Sequence, residues 1–315
     1  MAQRSKKGPI LGITGFLFMF LGTGYFAVAG MIVSMSLDPG ERTIIGEPPA
    51  GYTIADQRMM TSDGMDLAAW VVTGPNTPGD RAIILVHGLD NQAWNGTNRS
   101  LAAAYVDAGF TVLGLDLRGH GISGGQVLGL GWYERADIRA AVDVLLATGF
   151  APGRIGIHGM SYGAATALLA AASIPEIGAV ISDSSWADIR DVMDAEIEDR
   201  TGMPASVARW LRPGIALIGQ IVYGLDFDKI PPLLALPLIA PRPILFIHGE
   251  SDDRIPVYHT HDLFDAAATE SREKWVLPGM AHTEGVWMQA GDDVPSPFQA
   301  EYLAHITEFF QRSLP

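Results

Sequence analysis

No cysteine occurs among the 315 residues. Disulfides and thiolate metal ligands are excluded, and cysteine usage says nothing about a redox compartment. Basic residues are scarce: 21 Lys and Arg stand against 35 Asp and Glu, for a formal charge of −14 at pH 7. Three of the basic residues, Arg4, Lys6 and Lys7, precede the first acidic one, so the rest of the chain is more acidic still. Such a surface repels nucleic acid, and no basic stripe opposes that, so no nucleic-acid partner is expected. Internal repeats and low-complexity tracts are also lacking. Charged residues make up 18% and hydrophobic ones 48%, which argues against disorder. The length allows one large α/β domain, or two small ones, with a sizeable core.

Long apolar runs are missing with one exception. From Ile10 to Leu37 the chain carries no charge over 28 residues. Roughly 20 helical residues cross a hydrocarbon core, so this run is long enough to span with tilt. Basic residues before it and Asp38, Glu41 and Glu47 after it favour the N-terminus inside and the remainder on the extracytoplasmic side. The expectation is a membrane anchor over residues 1–37. The alternative is a signal peptide cut near Ala27-Val28-Ala29, which would release a secreted protein. Met31-Ile32-Val33 continue the apolar run past that point and favour the anchor.

Residues 38–51, with Pro48-Pro49-Ala50-Gly51, suggest a linker. Strand-like runs at Tyr52–Ala55 and Leu67–Val72 flank a turn at Ser62-Asp63-Gly64 and predict a hairpin. Strands are then expected at Ala82–Val86, Thr111–Leu117, Ile155–His158, Ala179–Ser182, Pro243–Ile247 and Lys274–Leu277. Helices are expected near Ser100–Ala108, Tyr133–Ala147, Ser161–Ala172, Val257–Ala268 and Phe298–Arg312. This alternation predicts an α/β fold, with a mostly parallel sheet covered by helices on both faces. Residues 187–237 hold no convincing strand but two helix-like stretches, Asp188–Asp199 and Ala205–Tyr223. They suggest a short helical cap inserted between two strands of a domain over 52–315.

The chemistry points to Gly159-Met160-Ser161-Tyr162-Gly163, a G-x-S-x-G pattern between an apolar strand and an alanine-rich helix. A serine on such a turn exposes its hydroxyl at a helix N-terminus, where developing negative charge is favoured. Ser161 is the candidate nucleophile, and it needs a base. Of the eight histidines, His87, His120, His158 and His248 each precede a glycine at or after a strand end and suit a structural role. His259, His261 and His305 fall in helix-like stretches. His282, in a loop after the final strand, is the candidate general base. An acid should orient it. Glu250-Ser251-Asp252-Asp253 follows a strand and supplies Asp252, with Asp253 a close competitor and Glu250 a distant one. Backbone N–H groups of Leu89 and Tyr162 are the candidate oxyanion donors. Trp94, Trp132, Trp186 and Trp287 follow strands and suit either an acyl pocket or the core.

Taken together, VHGLD (86–90), DLRGHGISGG (116–125), GMSYGA (159–164), IHGESDDRIP (247–256) and PGMAH (278–282) resemble the α/β-hydrolase superfamily over about residues 52–313. The order Ser161, Asp252, His282 is similar to that family's triad order. Its H-G-x-x-D-x-x-V-P pattern falls on Asp252, with Ile255 in place of valine. The chain resembles membrane-anchored or secreted bacterial members with short caps. A serine nucleophile separates it from haloalkane dehalogenases and dienelactone hydrolases. Gly119-x-Gly121-x-x-Gly124 matches a dinucleotide fingerprint formally. It does not follow the first strand of a βαβ unit, so no cofactor is inferred, and no metal site either. Asn95-Gly96-Thr97 and Asn98-Arg99-Ser100 match a glycosylation sequon too short to carry weight.

The resemblance implies a serine hydrolase of carboxylic esters, and a domain beside a membrane makes lipid acyl esters or thioesters the expected further substrates. A prolyl-oligopeptidase-like serine peptidase is the second reading. A non-catalytic binding protein on the same fold is the third.

Overall fold

The computed structural model describes residues 8–40, 42, 47–75, 77, 79–288 and 294–315, with side chains from residue 22 onward. In chain order the elements are α1 (Gly8–Ser36), β1 (Thr53–Met60), β2 (Asp66–Thr73), β3 (Ala82–Val86), α2 (Gly96–Asp107), β4 (Thr111–Leu115), α3 (Glu134–Ala147), β5 (Ile155–Met160) and α4 (Tyr162–Ser173). They continue with β6 (Ile177–Asp183), α5 (Ile189–Thr201), α6 (Ala205–Tyr223), α7 (Pro232–Ala235), β7 (Ile244–Gly249), α8 (Tyr258–Ala266), β8 (Arg272–Leu277) and α9 (Gln299–Ser313). The eight strands form one sheet in the order β1-β2-β4-β3-β5-β6-β7-β8. β2 pairs antiparallel with β1 and β4, and the other pairs are parallel.

Every residue of β3, β4, β5 and β7 is buried, which is why these strands are continuous apolar runs in the sequence. The sheet order reverses at β3, with β4 on one side and β5 on the other. A crevice opens at the carboxyl ends of the strands at such a switch point. His87 follows β3 and Ser161 follows β5, so the sheet's own topology puts both at that crevice.

Several boundaries differ from the expected ones, and three show why. β1 runs to Met60 rather than Ala55, because Asp56, Gln57 and Arg58 lie on a solvated edge strand and hide the apolar pattern. β8 starts at Arg272 rather than Lys274 on the opposite edge. α2 starts at Gly96 rather than near Ser100, because Asn95 caps it. The Asn95 side-chain oxygen accepts from the Asn98 N–H at 2.9 Å, and its amide donates to the Gln92 carbonyl at 3.0 Å. The first sequon asparagine is therefore a helix cap.

The fold resolves into two compact units. The larger, Pro39–Val192 with Asp228–Pro315, contains the sheet. The smaller joins residues up to Asp38 with Met193–Phe227, taking in α1, α6 and most of α5. Within the smaller unit, Gly214 lets α6 lie close against α1: a Cβ there would meet Tyr25 Cε1 at 2.6 Å. The Gly214 N–H donates to the Tyr25 hydroxyl at 3.1 Å. Asp194 accepts from Arg209 at 3.0 Å and from Arg212 at 2.8 Å, tying α5 to α6.

The expected anchor falls on α1. Residues 1–7 and the side chains of 8–21 lie outside the described residues. Among the described residues, no helix is long and apolar enough to cross a membrane. The expected linker, 38–51, also falls partly outside them.

Candidate active site

β5 ends in Gly159-Met160, and the chain turns into α4 within one residue. Ser161 makes that turn at φ 53° and ψ −116°. The strain is enforced by backbone on all sides. A Cβ on Gly159 would lie 2.1 Å from the Gly163 carbonyl oxygen, and one on Gly163 would lie 2.3 Å from the Val86 carbonyl oxygen. Neither could be relieved by rotating a side chain. Both flanking glycines are thus required for the elbow to close onto β3. The Ser161 N–H donates to the Asp183 carbonyl at 2.8 Å, which fixes the turn against the end of β6.

His282 lies in the loop after β8. Its Nε2 is 2.8 Å from Ser161 Oγ, and its Nδ1 is 2.7 Å from Asp252 Oδ2. A carboxylate only accepts, so the imidazole carries its proton on Nδ1 and the Ser161 hydroxyl donates to Nε2. Asp252 follows β7 and is buried, whereas Asp253 and Glu250 are exposed. Asp252 Oδ1 accepts from the N–H groups of Arg254 at 3.0 Å and Ile255 at 2.8 Å. Burial opposes the charge on Asp252. Hydrogen bonds from His248 and His282 outweigh it and hold the carboxyl well below the usual carboxylate range. A hydroxyl, an imidazole and a carboxylate in this line can pass the serine proton to the ring and stabilise the imidazolium that results.

The loop after β3 lies beside the serine. A Cβ on Gly88 would sit 3.6 Å from Ser161 Cβ. His87 holds this loop: Nδ1 donates to the Gly88 carbonyl at 2.7 Å, and Nε2 accepts from the Leu117 N–H at 3.1 Å. Leu89 is next along the loop, and Tyr162 is the first residue of α4.

Sequence reasoning passed over three groups around the site. His248 Nε2 lies 3.2 Å from Asp252 Oδ2 and 2.7 Å from the Ile255 carbonyl, so it braces the acid loop. Glu134, fully buried, accepts from the Gly129 and Gly131 N–H groups and from the Tyr162 hydroxyl at 2.8 Å, underpinning the start of α4. Asp183 joins a buried set of hydroxyls described below. For His248, the only sequence signal is a histidine four residues before the acid.

The glycine-rich stretch 116–125 is a structural loop. Asp116 accepts from the N–H groups of Ala93 at 2.8 Å and Ile122 at 2.9 Å. Arg118 forks onto buried Asp137 and reaches Asp63 at 2.6 Å. Among the tryptophans, Trp94 covers Gly114 in the core and Trp287 donates to Ser100 Oγ at 3.2 Å. Trp132 stacks under Arg135, and Trp186 packs edge-on to Tyr162 next to the elbow.

His158, in β5, is fully buried, and burial lowers its pKa to about 3. Unfolded, it would titrate near ~6.5. The unfolded chain therefore binds the extra proton, and this histidine's contribution to stability is lost as pH falls from about 6.5 toward 3. Replacing it isolates the effect. In His158→Gln, the loss of stability between pH 7 and pH 5, measured by urea denaturation, should shrink by about 2 kcal/mol. An unchanged pH slope would refute it.

Comparison with known proteins agrees with this architecture. The family described as X-Pro dipeptidyl-peptidase (S15 family) matches residues 19–197. The uncharacterized protein YqkD of Bacillus subtilis is 33% identical over 205 residues, 64% of this chain and 64% of that protein's length. The uncharacterized protein Rv2307c of Mycobacterium tuberculosis is 28% identical over 90% of both chains. Among solved structures, the Pyrococcus furiosus esterase Pf2001 superposes with a TM-score of 0.70 at 22% identity, over 87% of this chain and 99% of that one. A putative dipeptidyl aminopeptidase IV from Bacteroides ovatus gives 0.62 at 16% identity, over 84% of this chain and 36% of that one. At these identities the solved structures speak for the fold. The family match covers more than half of the chain, which belongs to the X-Pro dipeptidyl-peptidase (S15) family within the α/β-hydrolase superfamily.

Proposed function

We propose that the chain hydrolyses carboxylic esters through an acyl-enzyme on Ser161. The line of contacts from Ser161 Oγ through His282 to Asp252, at 2.8 and 2.7 Å, carries this reading. Ser161 Oγ attacks the acyl carbonyl carbon and its proton passes to His282 Nε2. The N–H groups of Leu89 and Tyr162 hold the oxyanion. The tetrahedral intermediate collapses, the alcohol leaves with the proton from His282, and the acyl group stays on Ser161. Water then attacks the acyl carbon as His282 takes its proton, the bond from that carbon to Ser161 Oγ breaks, the acid leaves, and His282 returns the proton to Oγ. Lipid acyl esters and thioesters fit the same scheme.

The S15 match favours a second reading, a serine peptidase using the same three side chains. The full-length protein, assayed in detergent on p-nitrophenyl esters of increasing acyl length and on an X-Pro p-nitroanilide, distinguishes the two. Ester turnover that requires Ser161 is the expected result. Turnover of the anilide alone would favour the peptidase. If neither is turned over and a fluorophosphonate fails to label Ser161, the chain is a binding protein.

We also propose that the N-terminal run tethers the enzyme to a membrane, with the sheet domain on the extracytoplasmic side. The 28 uncharged residues behind Lys6 and Lys7 support this, as do Phe26, Met31 and Met35 exposed on the described half of α1. Extraction from membranes should then need detergent. Release by high salt or carbonate would refute the tether.

A further inference from the structure

β6 lies between the strand that leads into the candidate nucleophile and the strand that leads into the candidate acid; it ends at Asp183, Ser184 follows, and both are buried. Their contacts reach both partners of the 2.8 Å hydroxyl–imidazole pair. On one side, the Asp183 carbonyl accepts the Ser161 N–H. On the other, Ser184 Oγ accepts the N–H of Thr283, the residue after His282, at 3.4 Å. The Ser184 N–H donates to the Ile247 carbonyl at 2.9 Å, which anchors the pair to β7. Ser184 and Thr283 both hold left-handed backbone, at φ 56° and 55°. Non-glycine residues persist there only where their surroundings over-determine them.

The Asp183 carboxylate decides which way the Ser184 hydroxyl points. Ser184 Oγ donates to Asp183 Oδ1 at 2.8 Å, so its lone pairs are left for the Thr283 N–H. The other carboxylate oxygen accepts the Tyr302 hydroxyl at 2.6 Å. Burial and the adjacent Asp183 hold the Tyr302 phenol far above its ordinary pKa, so it stays protonated and donates. Behind it, His158 Nε2 lies 3.4 Å from the Tyr302 hydroxyl and His158 Nδ1 lies 2.8 Å from the Tyr105 hydroxyl. The chain has one direction, from Tyr105 in α2 through β5 and α9 to the end of β6. A neutral imidazole supplies one donor and one acceptor, as this direction requires.

We propose that Asp183 and Ser184 are positioning residues that set the separation between Ser161 Oγ and His282 Nε2. This rests on the reading of Ser161 and His282 as nucleophile and base. The carboxylate touches neither of them with its side chain. It acts by polarising Ser184, which in turn holds the loop bearing His282.

The test uses two full-length variants. Ser184→Gly removes the hydroxyl and tolerates φ 56°. Asp183→Asn keeps the shape, but its amide can donate to Ser184 and so turn the hydroxyl proton toward Thr283. Both are assayed for kcat and KM on p-nitrophenyl butyrate, for Tm, and by crystallography. The expected result is a kcat lower by about 10- to 100-fold, with KM within about twofold and the Oγ–Nε2 distance beyond hydrogen-bonding range. A kcat within about twofold of wild type overturns the proposal. So does a kcat loss that follows the folded fraction while the crystal keeps the short contact. If wild type and Ser161→Ala hydrolyse the ester equally, the hydrolase reading has failed. The clamp is then judged by the crystallographic distance alone, and an unchanged distance overturns it.

Discussion

Ser161→Ala should lower ester turnover by on the order of 10⁵- to 10⁶-fold while leaving the protein folded. The size follows from the shape of the site. Removing Oγ deletes the attacking atom and the hydroxyl that lies 2.8 Å from His282 Nε2. Alanine can occupy the elbow at the same strain, because the two flanking glycines make the close approaches to β3 and α4. The His282–Asp252 hydrogen bond and the backbone hydrogen bonds to Asp252 do not involve the serine. Circular dichroism and Tm should therefore match wild type. Some acceleration over water should survive, because Leu89 and Tyr162 remain as the proposed oxyanion donors. Turnover by Ser161→Ala within tenfold of wild type would reject Ser161 as nucleophile.

The second large effect separates two adjacent carboxylates. Asp252→Asn should lower kcat by about 10⁴-fold, and Asp253→Asn should change it by less than about twofold. Asp252 accepts four donors: the ring nitrogens of His282 and His248 and two backbone N–H groups. An asparagine in its place presents an amide that donates. Facing that amide, His282 would carry its proton on Nε2 instead and could not accept from Ser161. Asp253 points into solvent on the same loop. Equal losses in the two variants, measured as kcat on one ester, would show that the geometry misleads. A loss confined to Asp253→Asn would move the acid by one position.

The sheet was legible because strands buried on both faces must be apolar throughout, as in Ala82–Val86. The elbow was legible because its glycines are demanded by backbone contacts. The edge strands were only half legible: Asp56 and Arg58 face water, half-buried Gln57 is polar, and the run carries no period that marks a strand. His248, Glu134 and Asp183 could not be found in the same way. Each is defined by what lies opposite it in space: Asp252, Tyr162 and Tyr302 stand 4, 28 and 119 residues away along the chain from His248, Glu134 and Asp183. A histidine before a glycine looks the same in sequence whether it braces the candidate acid, as His248 does, or a loop, as His87 does. The acid itself was legible as a choice of three. Burial of one and exposure of the other two narrows it.

The elbow's contacts also bear on how such a protein can change. At Gly159 and Gly163 the limiting neighbours are carbonyl oxygens of the main chain. A clash with a side chain can be repaired by trimming that side chain elsewhere. A clash with a carbonyl cannot, because every amino acid carries the same carbonyl. No second-site suppressor is therefore open to a side chain at either glycine. Change is open instead at residues whose neighbours are side chains, such as Trp186 against Tyr162. In a deep mutational scan, the elbow should appear as a pair of positions without permissive backgrounds, beside positions such as Trp186 that compensate one another.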